Sequence, residues 1–264
     1  MRHGVRHMSL TRPRILLTND DSHDSPLFHL AIARLAAIGE LSIVVPATEQ
    51  SWKGKSMTRY GPLYVERIDI HGRPAWSVTG TPADCVNLAL YNLLDEKPDI
   101  VVSGINIGKN VGLGFTLASG TIGACLEANI AGLPGLALSQ ELLPEDFLHW
   151  DRERNFKPAT IAVLERLTAS MIPAIWRELV VPDDFEAATW NVNFPFVPAA
   201  TPAIVRTRLG HSFYQGCFAR RGDQYHHALA VAQIDPHPET DNAVLQAGHI
   251  SATRIDLRTL GQHL

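Results

Sequence analysis

Residues 14–21 read RILLTNDD. The apolar run is continuous rather than alternating, which suits a strand covered on both faces, as in a parallel sheet. It ends in Asn19 and two adjacent carboxylates, Asp20 and Asp21. Like charges repel, so such a pair at the end of a buried strand requires a compensating partner. Three further runs have the same character: LSIVVPA (41–47), DIVVSG (99–104) and GLALS (135–139).

Helical patterns lie between these runs. Residues 27–38, LFHLAIARLAAI, carry apolar residues at helical spacing, and Gly39 supplies a C-terminal stop. In GTPADCVNLALYNLL (80–94), Thr81 is a good N-cap, Pro82 fits the first turn and Asp84 suits the N-terminal dipole. Residues 119–131 predict a third helix. The alternation predicts an α/β fold with a doubly wound, mostly parallel sheet. PLYVERIDI (62–70) and PAWSVTG (74–80) shift towards a period of 2 and predict a β-hairpin insertion beside that sheet.

Beyond residue 140 the pattern predicts a helix in KPATIAVLERLTASMI (157–172) and strands in ATWNVNFP (188–195) and AIVRTRLG (203–210). The tail from about 201 to 264, with short strands such as HISAT (249–253), reads as a C-terminal extension on a core of about 13–200. Residues 1–12 read as a disordered leader without the apolar segment of a secretory signal, and Met8 offers an alternative start.

Composition narrows the classes. The 264 residues carry 23 basic and 27 acidic side chains, a net charge of −4, and 45% are apolar. That allows a sizeable core and argues against a nucleic-acid duplex or a membrane surface as partner. No apolar run reaches the 20 or so residues that span a bilayer. Three cysteines without a C-x-x-C spacing read as reduced thiols of a cytoplasmic protein.

In a doubly wound sheet, ligands bind outside the carboxyl ends of the strands. Asp20 and Asp21 follow the first strand, Ser51 lies past the second in PATEQS (46–51), and Asn106 follows SGI at the end of the third. Carboxylate, hydroxyl and amide oxygens suit one Mg²⁺, Mn²⁺ or Ca²⁺ ion rather than zinc. Taken singly, each has a plainer reading: a turn, a helix cap or a loop hydroxyl. A second element, ASGTIGACLEA (118–128), places a Ser-Gly-Thr turn at a helix start, a site for phosphate or an ordinary N-cap. The loop before it has four glycines from Gly104 to Gly114, without a Walker or dinucleotide fingerprint.

These segments resemble the SurE family, the survival-protein E nucleotidases. ILLTNDD (15–21), EQS and SMT (49–58), GTPADCV (80–86), PDIVVSGINIGKNVG (98–112), SGTIGACLEA (119–128) and GLPGLALS (132–139) carry the likeness. NVNFP (191–195), TRLG (207–210) and TDNAVLQAGHISATRIDLRT (240–259) extend it. The resemblance implies a Rossmann-like core and divalent-metal-dependent hydrolysis of nucleoside 5′- and 3′-monophosphates. It implies a homodimer or homotetramer whose C-terminal parts are exchanged between subunits. Its metal ligands carry over onto Asp20, Asp21, Ser51 and Asn106. Phosphate contacts carry over onto Asn110, Ser119, Gly120 and Thr121, and Asp20 is the candidate base.

Some positions depart from the family pattern. Ser22 and His23 replace a usual Gly-Ile, Leu27 replaces a Gly, and Ala118 replaces a frequent Tyr. Trp52, Lys53 and Lys55 make the segment after Ser51 bulkier and more basic, and are expected to reshape the substrate rim. His23 near the aspartates reads as a leaving-group acid or a solvated loop residue, and His226-His227 as structural. Trp52, Tyr60 and Trp76 read as base-stacking or packing residues. The competing functions are a weak nucleotide- or metal-binding module and a broad phosphomonoesterase or exopolyphosphatase. The missing glycine fingerprint disfavours a dehydrogenase, and the adjacency of the aspartates disfavours a haloacid-dehalogenase-type D-x-D phosphatase.

Overall fold

The computed structural model describes residues 12–182, 186–211, 214–229 and 234–260. Eleven strands are present there: β1 (Arg14–Thr18), β2 (Glu40–Pro46), β3 (Val65–Ile70), β4 (Arg73–Val78), β5 (Ile100–Ile107), β6 (Gly135–Gln140), β7 (Thr189–Phe194), β8 (Ile204–Thr207), β9 (Phe218–Arg221), β10 (Gln224–His227) and β11 (Ile250–Ile255). The helices are α1 (Pro26–Leu35), α2 (Pro82–Leu88), α3 (Leu113–Ala118), α4 (Gly120–Ile130), α5 (Pro144–Glu153), α6 (Pro158–Ile175) and α7 (Asp241–Gln246). Nine strands form one sheet in the order β3-β4-β2-β1-β5-β6-β7-β11-β8. The run from β4 to β7 is parallel throughout.

The continuous apolar runs are explained by two buried faces. Ile15 and Leu17 of β1 face one cluster with Leu27, Phe28, Leu164 and Ile172 of α1 and α6. Leu16 faces the other, with Val44, Val86, Ala124 and Ala128 from β2, α2 and α4. All three β1 side chains are at most 1% exposed, and each contributes about 2 kcal/mol relative to exposure. The expected doubly wound α/β architecture is therefore present. Thr81 caps α2 and forms a capping box with Asp84.

Three expectations change. The hairpin β3-β4 is not beside the sheet but its edge, joined through parallel pairing of β4 with β2. Part of the extension belongs to the core: β11 pairs antiparallel with β7 and parallel with β8. Only β9 and β10 stand apart as a two-stranded sheet. The helical segment Pro158–Val180, 23 residues with a hydropathy of 1.2, does have the length and composition to cross a membrane. In this fold Leu164, Met171, Ile172 and Ile175 are buried in the core against the sheet. Residues 1–11 of the expected leader lie outside the described residues.

Candidate active site

The sheet's switch point creates the site. β1 has β2 on one side and β5 on the other, so the loops leaving β1 and β5 diverge and open a crevice at the carboxyl ends. Asp20 and Asp21 leave β1 there, and β5 runs on through Asn106 to Ile107, with an irregularity between Ser103 and Asn106. The turn after the aspartates is closed by Asn19, whose Nδ2 donates to the Ser22 carbonyl at 2.7 Å. Ser22 has φ 69°, a strained setting for a side chain that glycine would relieve.

Asp20 is 3% exposed and sits at the start of α4. Thr121 gives Asp20 Oδ1 its hydroxyl proton at 2.6 Å and also a backbone N–H. The helix N-terminus thus holds a carboxylate of the chain itself. Gly120 is needed for that approach, because a Cβ there would lie 2.9 Å from Asp20 Cβ and Oδ2. Asp21 accepts the Ile107 N–H through Oδ2 at 3.0 Å. Burial lifts both carboxyls above their ordinary range. Asp20 rises to about 6 despite the bonds from Thr121, and Asp21 is held well above its ordinary value by burial and by repulsion from Asp20.

Ser51 is brought to the same crevice by the Gln50 N–H, which donates to the Asp20 carbonyl at 2.7 Å. Its hydroxyl donates to Glu49 Oε1 at 2.7 Å, leaving the oxygen's lone pairs available. Glu49 is held in turn by Arg154 at 2.9 Å. Asn106 gives its Nδ2 hydrogen to the Gly108 carbonyl at 2.7 Å, which turns Oδ1 into the acceptor on offer. The loop carrying Ser51 is anchored on α3 and α4: Gly54 N–H donates to the Ala118 carbonyl of α3, and Gly123 of α4 leaves room for the Gly54 carbonyl.

A cavity of about 980 Å³ joins these groups, lined by Asp20, Asp21, Ser51, Asn106, Asn110 and Ser119. Gly120 and Thr121 do not line it; their visible task is to place Asp20. Asn110 is largely committed, its Nδ2 donating to Ser139 Oγ and its backbone N–H to Asn193 Oδ1. Ser119 accepts from the Ile122 N–H as the cap of α4, which leaves its own hydrogen to donate. His23 is outside the cavity lining and pairs with Asp24. Lys55 points instead to the buried Glu127 at 2.6 Å, so it does not shape the rim as expected.

Four lining residues carry no local sequence signal for this role: Glu49, Lys109, Phe115 and Arg154. His227 also lines the cavity, with its ring packed against that of Trp52. Five carboxylates line the wall, Asp20, Asp21, Glu49, Glu141 and Asp151, against two fixed cations. Both cations are already paired, Lys109 with Glu141 and Arg154 with Glu49, each at 2.9 Å. The wall repels an anion unless a cation joins it. The donor set fits a hard divalent ion: a buried and a half-buried carboxylate without a bonded cation of their own, and two neutral oxygens, with a partnerless buried Oδ1 on the preceding Asn19. Among the described residues no three His, Cys, Asp or Glu side chains are placed to hold a metal ion by themselves, so an ion at the paired aspartates needs the neutral oxygens of Ser51 and Asn106 as well.

Fold and site together define a class: a doubly wound α/β protein with an acid-lined crevice of oxygen donors at its switch point. A family model described as Survival protein SurE matches residues 15–216. A protein named 5′-nucleotidase SurE from Methanopyrus kandleri is 35% identical over 249 residues, covering 94% of this chain and 93% of its own. Its namesake from Chloroflexus aggregans is 38% identical over 253 residues, covering 92% of each. The crystal structure of SurE protein from Aquifex aeolicus superposes with a TM-score of 0.67 at 25% identity, covering 94% of this chain and 97% of that one. The chain belongs to the SurE family.

Proposed function

We propose that the protein is a phosphatase that hydrolyses nucleoside 5′- and 3′-monophosphates to nucleoside and phosphate with the help of one Mg²⁺ or Mn²⁺ ion per subunit. The observation that carries the reading is the pair of adjacent carboxylates, Asp20 buried and Asp21 half-buried, on an acid-lined wall whose cations are spent elsewhere. Relatives named 5′-nucleotidase SurE, at 35% and 38% identity, support the nucleotide as substrate.

Asp20, Asp21, Ser51 and Asn106 would hold the ion. When bound, it offsets the wall's charge and polarises a phosphoryl oxygen. Ser119 donates its hydroxyl to a second oxygen, with Asn110 beside it on the same wall. Gly120 and Thr121 serve the phosphate end indirectly, by fixing Asp20. Asp20 takes a proton from the attacking water, and Thr121 keeps its carboxylate aimed.

The homodimer or homotetramer with exchanged C-terminal parts is part of the same proposal. Its support is the hairpin β9-β10, every residue of which is exposed, including Phe218 and Tyr225. The cytoplasm is the proposed compartment, because Cys85, Cys125 and Cys217 are free thiols.

The test is phosphate release from AMP, GMP and p-nitrophenyl phosphate with Mn²⁺ or Mg²⁺, before and after EDTA. Release from the nucleotides that EDTA abolishes is the expected result. No release under any condition would mean a binding module, and release without nucleotide preference would mean a general phosphomonoesterase.

A further inference from the structure

The cavity is larger than a phosphate group requires, and its 980 Å³ suit a nucleotide-sized ligand. Beyond the acidic end lies an aromatic wall. Trp52, Phe115 and His227 line it, and Tyr214 packs against both Trp52 and Phe115. The ring centroids of Phe115, Tyr214 and His227 lie 5.8, 5.3 and 5.1 Å from that of Trp52. All three meet the indole at steep angles, 65°, 70° and 61°. Among these neighbours none lies flat on it, and Trp52 is 40% exposed.

The backbone holds the indole in this place against its own preference. Trp52 has φ 64°, where a bulky side chain is disfavoured. The turn is closed by Lys53 N–H on the Gln50 carbonyl and fastened by Gly54 N–H on the Ala118 carbonyl. Trp52 directly follows the ligand candidate Ser51, and Phe115 precedes Ser119 by one helical turn. The two rings therefore sit on the loop that carries Ser51 and on helix α3, which leads directly into Ser119.

We infer that Trp52, braced by Phe115, is the platform on which the base of a nucleoside monophosphate stacks. It makes the enzyme prefer base-bearing over base-free phosphate esters, and purines over pyrimidines, since stacking is tolerant of sequence but grows with ring size. This rests on the nucleotidase reading and adds the base subsite to it. The lining also includes Phe147, which is 44% exposed and comes from α5. Phe147 lacks both the adjacency to a ligand loop and the forced backbone, and it serves as the control.

The experiment compares W52A, W52F and F147A with the wild-type chain on AMP, UMP and ribose 5-phosphate in Mg²⁺. In W52A the KM for AMP rises about tenfold, and the loss is smaller for UMP and smallest for ribose 5-phosphate. W52F regains most of the loss. AMP quenches tryptophan fluorescence of the wild-type chain, and this quench is missing in W52F. Equal losses on AMP and ribose 5-phosphate in W52A, or a base-selective loss in F147A alone, would overturn the inference. If the wild-type chain releases no phosphate from AMP, the nucleotidase reading falls and the quench decides by itself. Its loss in W52F upholds the platform, and its persistence there removes it.

Discussion

Thr121 donates its hydroxyl to Asp20 Oδ1 at 2.6 Å across 101 residues of sequence. The bond joins the N-terminus of α4 to the end of β1 and turns a residue of the Ser-Gly-Thr motif into a support for a carboxylate. Replacing Thr121 by Val keeps the shape and removes the donor. Supporting bonds of this kind are worth about ten- to a hundredfold in metal affinity or activity. T121V is expected to weaken Mn²⁺ binding by about tenfold in calorimetry. Unchanged affinity would mean that the bond does not aim Asp20.

Gly120 allows the same contact by absence. A Cβ there would lie 2.9 Å from Asp20 Cβ and Oδ2 and 3.2 Å from the Gln50 carbonyl. Gly120→Ala must push Asp20 or the Ser51 loop aside. A displacement of about 1 Å at a reacting group costs on the order of a hundredfold in rate. The expected outcome is a loss of that size in kcat with the far-ultraviolet circular dichroism unchanged. Wild-type turnover in G120A would show that the packing is looser than the geometry implies.

Asp241 fastens the tail to the site loop. Its Oδ2 accepts the Gly112 N–H at 2.6 Å, and its Oδ1 accepts Gly210 and Asn242 N–H at 3.0 and 2.9 Å. Asn at this position turns an NH₂ group towards an N–H donor. A buried donor left without an acceptor costs about 1–3 kcal/mol, so D241N is expected to lower the unfolding free energy by about 2 kcal/mol in urea. A shift below a few tenths would mean that the loop finds other acceptors.

Cys85 and Cys125 are buried, and burial pushes both thiols well above their ordinary range. Cys217 is partly exposed. Ellman's reagent is therefore expected to titrate one thiol in the native chain and three in guanidinium. Rapid reaction of two or three native thiols would contradict the packing of α2 and α4 on the sheet.

Much of this architecture is legible in the residues. RILLT has both faces apolar because α1 and α6 cover one and α2 and α4 the other, and that pattern alone identifies a parallel strand. Thr81 and Ser119 announce their helices because capping is local chemistry. The short helix α3 is not legible, since Gly104, Gly108, Gly112 and Gly114 argue for a loop throughout that stretch. The strand β11 is legible in HISAT, but its place between β7 and β8 is not, because it depends on partners 40 or more residues away.

The site divides along the same line. Asp20 and Asp21 stand out because two charges at a buried strand end are costly, and Ser51 and Asn106 follow from strand-end logic. Glu49 and Arg154 do not, because their link spans 105 residues and either one alone is an ordinary surface charge. Thr121 was legible as part of a motif, but whether its hydroxyl meets a phosphate or a carboxylate depends on the fold.

The central claim is that the paired aspartates grip a divalent cation, and Mn²⁺ titration by calorimetry on the full chain tests it most directly. The account predicts one Mn²⁺ per subunit in the wild-type chain, with binding lost in Asp21→Asn while the thermal unfolding transition is kept. Undiminished Mn²⁺ binding by D21N, or none by the wild-type chain, would contradict it.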